Sequence, residues 1–75
     1  MYTTNEIEQK QLEKAFTYQQ PKEGQPARYA TLRQTAKNFA HQIHNECPPS
    51  RERSLAITKL EEAVMWANAS IARNE

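Results

Sequence analysis

The stretch CPPSRERSLAITKLEEAVMWANASIARNE, residues 47–75, decides the fold. Pro48 and Pro49 stop any helix arriving from upstream, because a proline bars the helical region to the residue before it and supplies no N–H. Ser50 then stands as a good N-cap, and a helix is predicted from about Arg51 to Arg73. Such a helix is roughly 34 Å long. Ile57, Leu60, Val64, Ala67 and Ile71 recur at spacings of 3, 4, 3 and 4 and form one seam. Leu55, Ala56, Ala63, Met65, Trp66, Ala69 and Ala72 lie off or beside that seam, and from Ala63 to Ala72 only Asn68 and Ser70 are polar. A helix apolar around most of its circumference is buried on more than one side. Two partner helices in the same chain cannot surround it, so it is read as the core of an oligomer. Ala63, Ala67 and Ser70 would let helices approach closely. Met65 and Trp66 are read as core.

Working outward, Tyr29, Leu32, Ala36, Phe39, Ile43 and Cys47 repeat at 3, 4, 3, 4 and 4. One apolar stripe on a helix from about Ala27 to Glu46 is predicted, with Pro26 near its first turn, where proline is tolerated. Arg33, Lys37 and His44 lie off the stripe. The two long helices, joined by the Pro-Pro-Ser turn, make an antiparallel hairpin. A shorter helix is expected from about Thr4 to Phe16, capped by Thr4 or Asn5, with Glu6 and Glu8 in the first turn where the helix dipole favours acids. Its apolar face is thin (Ile7, Leu12, Ala15, Phe16), so it must dock on something to persist. The expected fold is all-α. Neither an internal repeat nor a low-complexity tract is present.

Length limits the rest. Seventy-five residues make one domain, 1–75. A core of that size supplies only about 3–5 kcal/mol, so oligomerisation is the expected source of further stability. The single cysteine, Cys47, allows no intrachain disulfide and fits a reducing compartment, with burial as a small hydrophobe its default fate. No apolar run approaches the roughly 20 residues of a membrane span, and no signal-peptide pattern is present. A soluble, cytoplasmic protein is expected. Net charge is +1, which argues against binding a DNA or RNA polymer. Residues 1–15 carry −1, residues 16–37 carry +3 and residues 38–75 carry −1. A local positive site of that size suits a small anion.

The chemistry concentrates in FTYQQPKEGQPARYATLR, residues 16–33. Pro21 and Pro26 push the residues before them out of the helical region, and Gly24, the only glycine, permits a positive φ. A shaped loop results. Tyr18 offers a π face that can stack on a nucleobase, and Lys22, Arg28 and Arg33 can meet phosphate. The plainer alternative is that Tyr18 and Tyr29 anchor the loop while the cations are solvated. His41, His44 and Cys47 stand at i, i+3 and i+6 and are weak candidates for a metal, with no second cysteine. No local pattern supports nucleophilic catalysis, and a chain this small has little room for a catalytic cleft, so no enzyme is expected.

FTYQQPKEGQPARYATLR together with CPPSRERSLAITKLEEAVMWANASIARNE resembles the bacteriophage anti-CBASS sponge family. The shared pattern is a Phe-x-Tyr-x-x-Pro-Lys loop, a Gln-Pro-x-Arg-Tyr helix start, a Pro-Pro-Ser turn and an Ala-Val-Met-x-Ala-Asn-Ala-type terminal helix. It covers residues 16–75, and residues 1–15 match no firm pattern. The resemblance implies a non-enzymatic protein in the cytoplasm of the infected bacterial host. Such a protein sequesters the cyclic oligonucleotide second messengers of CBASS defence. It also implies a compact helical homo-hexamer. Cyclic dinucleotides such as cyclic GMP-AMP would bind between paired protomers, and cyclic trinucleotides near the threefold axis. By position in the matching motifs, Tyr18 would stack on a base and Arg33, standing where relatives can carry Lys, would meet phosphate. Pro21 and Lys22 would line the same pocket. Thr35 and Arg73 carry over to the trinucleotide site. No cofactor, metal, nucleic-acid polymer or membrane partner is expected. The rival expectation is a small helical interaction adaptor or antitoxin-like regulator, marked by an exposed apolar groove and no affinity for nucleotides.

Overall fold

The structure, a computed structural model, describes residues 2–75. Among these the chain forms three α-helices and no strand: α1 (Glu6–Phe16), α2 (Gln25–Glu46) and α3 (Arg51–Asn74). The all-α expectation and the hairpin are both met.

Local chemistry sets each boundary. At α1 the cap is Asn5: its Oδ1 accepts the Glu8 N–H at 2.8 Å, and Glu8 Oε1 accepts the Asn5 N–H at 3.2 Å. This reciprocal box satisfies amide donors that the first turn would otherwise leave free. Two residues earlier than expected, α2 begins at Gln25. Gly24 adopts the left-handed conformation with φ +83°, which turns the chain into the helix without steric cost. Pro26 then falls in the first turn, where its missing N–H has no partner to lose.

The hairpin turn is tied from both sides. Ser50 Oγ accepts the Arg53 N–H at 3.1 Å and so caps α3. The Arg53 guanidinium reaches back to donate to the carbonyls of Cys47 at 3.2 Å and His44 at 3.4 Å. One α3 side chain thus satisfies carbonyls that the end of α2 leaves unpaired. Cys47 itself is exposed, in place of the burial its residue type suggested, because the chain is leaving the hairpin seam there.

Packing between α2 and α3 half-buries Leu32, Ala36 and Ile43 against Ile57, Leu60, Val64 and Ile71. Phe39, though on the stripe, stays largely exposed. Two helices cover only a narrow strip of each other, and a bulky side chain at its edge remains outside. Met65 and Trp66 are also exposed in the single chain, Trp66 at 61%. Neither belongs to a core within one protomer. The docking expected of α1 is likewise absent within the chain: Ile7, Leu12 and Phe16 remain exposed. Its C-terminal end meets the hairpin, where Lys14 Nζ donates to Asn74 Oδ1 at 3.1 Å.

The molecule measures 49 × 37 × 13 Å. A helix with its side chains is about 10–12 Å across, so the chain is a plate one helix thick. Burial needs two packed layers. Accordingly no apolar side chain among the described residues is fully buried, and the one buried residue is Gln25. No described helix is long and apolar enough to cross a membrane.

Candidate functional site

The end of α1, the following loop, the first turns of α2 and the last turns of α3 enclose an open cavity of about 480 Å³. Four chain segments meet there because α1 and the loop fold back beside the open end of the hairpin. Tyr18, Tyr29, Arg33, Asn68 and Arg73 line it, with Lys14 at the α1 side. Ala69 and Ala72 keep the α3 wall low. No carboxylate is among the lining residues, so three cations face the space without an acid to neutralise them.

Each polar group arrives by a different route. Tyr18 lies in the loop after α1 and is 83% exposed, which leaves its ring accessible. Arg33 projects from α2 off the apolar stripe and makes no ion pair among the described residues. Arg73 comes from the last turn of α3, its guanidinium carbon 6.0 Å from the centroid of the Trp66 ring. That distance sits at the edge of a cation–π contact and steadies the side chain without spending its hydrogen-bond donors. Asn68 Oδ1 is buried with no hydrogen-bond partner. A buried acceptor left unpaired costs about 1–3 kcal/mol, so a donor brought to this wall would be favoured.

The residues expected from the sequence divide accordingly. Tyr18 and Arg33 are brought together. Arg73 joins them, although the resemblance assigns it to a different ligand. Thr35 lies elsewhere, in an apolar groove with Leu32, Phe39, Ala63 and Ala67. Thr35 and Arg73 therefore share no cavity within one chain. Pro21 and Lys22 do not line the Tyr18 cavity. The Lys22 amide donates to Gln25 Oε1 at 2.9 Å, and its ammonium is held by the main-chain carbonyl of Glu75. Lys14 and Asn68 are not legible as binding residues in the sequence, since nothing in local spacing distinguishes them from a solvated helix face. Among the described residues no group of His, Cys, Asp or Glu is arranged to hold a metal ion.

On the hairpin's own surface a second groove of about 370 Å³ is mostly apolar, lined by Ala36, Ala40, Ile57, Leu60, Val64 and Met65. Arg33, Lys37 and Glu61 supply its charged groups. Arg33 thus borders both the cationic cavity and this groove.

Residues 8–72 match the family model described as Acb2/Tad1, hairpin domain. No curated protein and no solved structure matches the chain.

Proposed function

Because the chain belongs to the Acb2/Tad1 hairpin-domain family, we propose that it is a phage anti-defence protein that captures cyclic dinucleotides such as cyclic GMP-AMP, and cyclic trinucleotides, and so silences CBASS signalling without degrading the messenger. One observation carries the reading: an exposed tyrosine ring and two guanidinium groups meet in a cavity lined by no carboxylate. A base stacks on Tyr18 while a phosphate meets Arg33. Each stack is worth about 1–3 kcal/mol, and the guanidinium adds charge-assisted, bidentate hydrogen bonds.

The working unit is a homo-hexamer. Support comes from the plate-like protomer, which buries no apolar side chain among the described residues. Across a twofold axis the same groups face each other from both sides. A cyclic dinucleotide is itself nearly twofold, so each base meets a Tyr18 and each phosphate an Arg33. Two such half-sites acting on one ligand suit nanomolar affinity, near −12 kcal/mol. A trinucleotide site that uses both Thr35 and Arg73 takes them from different copies. The mechanism is equilibrium capture, with no turnover.

The apolar groove beside Met65 favours a second reading, the protein-interaction adaptor. Thermal melting with a panel of cyclic dinucleotides and trinucleotides separates the two. Ligand binding to the native state raises the melting temperature by mass action, and capture requires such a rise. An unchanged melting curve across the whole panel sinks the sponge reading and leaves the adaptor.

A further inference from the structure

A second cluster of cations stands outside the Tyr18 cavity. Glu75, beyond the last turn of α3, is held by three side chains from the loop and the start of α2. Arg28 pairs with its carboxylate, Gln25 Nε2 donates to Oε1 at 3.2 Å, and the Lys22 ammonium takes the main-chain carbonyl. Gln25 is the rigid member: it is 4% exposed, and its Oε1 is occupied by the Lys22 amide, which turns its Nε2 toward the carboxylate. α2 starts at this point, and its cap, Gly24, brings no side-chain acceptor. The positive end of the helix adds to the same field. A guanidinium and a fixed amide N–H take the two oxygens of one carboxylate, and an ammonium takes the main-chain carbonyl of the same residue; these are the donors an oxyanion takes.

We infer that Lys22, Gln25 and Arg28 form a second anion seat for a phosphate group, separate from the Tyr18 cavity, and that Glu75 fills it in the free protein as an internal substitute, its carboxylate on Gln25 and Arg28 and its main-chain carbonyl on Lys22. Tethering gives that carboxylate a high effective concentration at the seat. Hydrogen bonds from Arg28 and then Gln25 hold the Glu75 carboxyl below the ordinary carboxylate range, and Glu75 in turn raises Arg28. Both partners are therefore charged at neutral pH. The seat explains why Lys22 turns away from the Tyr18 cavity, and it stands whether or not the chain captures cyclic nucleotides.

The test is a titration of the whole chain with inorganic phosphate, against chloride at matched ionic strength. It follows the Gln25 side-chain amide and the Arg28 Nε–H by nuclear magnetic resonance. The parent is expected to show saturable shifts with phosphate and none with chloride. With Glu75 filling the seat about nine-tenths of the time, Glu75→Gln binds phosphate about tenfold more tightly. Adding Arg28→Ala to that variant removes the gain. The same resonances followed with a cyclic dinucleotide on Tyr18→Ala protein tell the source. Saturable shifts there mean that the seat accepts a phosphodiester, and their absence beside a phosphate response means that it takes free phosphate alone. A parent response to phosphate that is unsaturable or equal to that of chloride overturns the seat, and this arm needs no variant to fold. Equal phosphate affinity in folded Glu75→Gln and the parent overturns the role of Glu75.

Discussion

Tyr18 and Arg33 come from different elements, yet they line one cavity with Arg73, and that juxtaposition sets the sharpest expectations. In a twofold site every ligand meets each residue twice. Tyr18→Ala removes two stacks of roughly 1–3 kcal/mol each, so dinucleotide affinity is expected to fall by about one to four orders of magnitude. Arg33→Ala is expected to weaken it as well. Titration calorimetry beside sedimentation checks both, since the assembly is expected to survive. Unchanged affinity in an assembled Tyr18→Ala protein would reduce the loop to a connection. Thr35→Ala, in its separate groove, is expected to spare dinucleotides and weaken trinucleotides. Arg73→Ala is expected to weaken both ligands, because Arg73 borders the Tyr18 cavity; an effect on trinucleotides alone would show that the cavity is not the dinucleotide site. Glu75 carries a pH dependence of definite sign. Its carboxyl lies below its ordinary value of 4.5 in the folded chain, so its stabilising effect is present above that value. The effect is lost as the pH falls through the lowered one. Melting curves of the parent and of Glu75→Gln are expected to differ at neutral pH and to converge in acid, and a gap that widens in acid would contradict the pairing.

At the scale of the element, the helices are held at their ends rather than by a core. Ser50→Ala removes the acceptor for the Arg53 amide, and losing such a cap costs about 1 kcal/mol. For a chain of this size that is a fall of about 4–8 °C in Tm, measurable by circular dichroism. Arg53→Ala, which frees the carbonyls of His44 and Cys47, is expected to act in the same direction. A melting point unmoved by either change would mean that the Pro48–Pro49 turn closes the hairpin unaided. The elements themselves were largely legible. Ser50, the double proline and the 3–4 spacing are local signals, and they place α3 to within a residue of its observed end. The observed start of α2 lies two residues before the expected one because Gly24 and Gln25 act through a turn whose hydrogen bonds involve Lys22 and Glu75.

The whole molecule is a plate one helix thick, and its exposed apolar side chains lie on more than one element: Phe16 on α1, Phe39 on α2, Met65 and Trp66 on α3. Sedimentation at micromolar concentration is expected to give a mass several times 8.7 kDa. A folded monomer would remove the hexamer and with it the twofold site. Ligand recovered after denaturing the assembly is expected to co-elute with the starting cyclic dinucleotide. Linear products would reveal a hydrolytic site in place of simple capture.

By itself the sequence determined what depends on near neighbours. Helix periods, caps and the Pro-Pro-Ser turn follow from residues within a few positions of one another, and so did the all-α hairpin and the richness of residues 16–33 in tyrosine and cations. The unusually apolar α3 also told, from composition alone, that one chain could not bury it. Tertiary structure alone decided which distant groups meet. Arg73 and Asn68 reach Tyr18 only because the last turns of α3 close against the loop, 50 residues and more away in sequence. Lys22 likewise meets Glu75 across a separation of 53 residues. Helical periodicity fixes which residues share a face of one helix, but it carries no information about how faces of different helices are brought together. That depends on loop conformation and on long-range charge pairing, and both are properties of the folded chain.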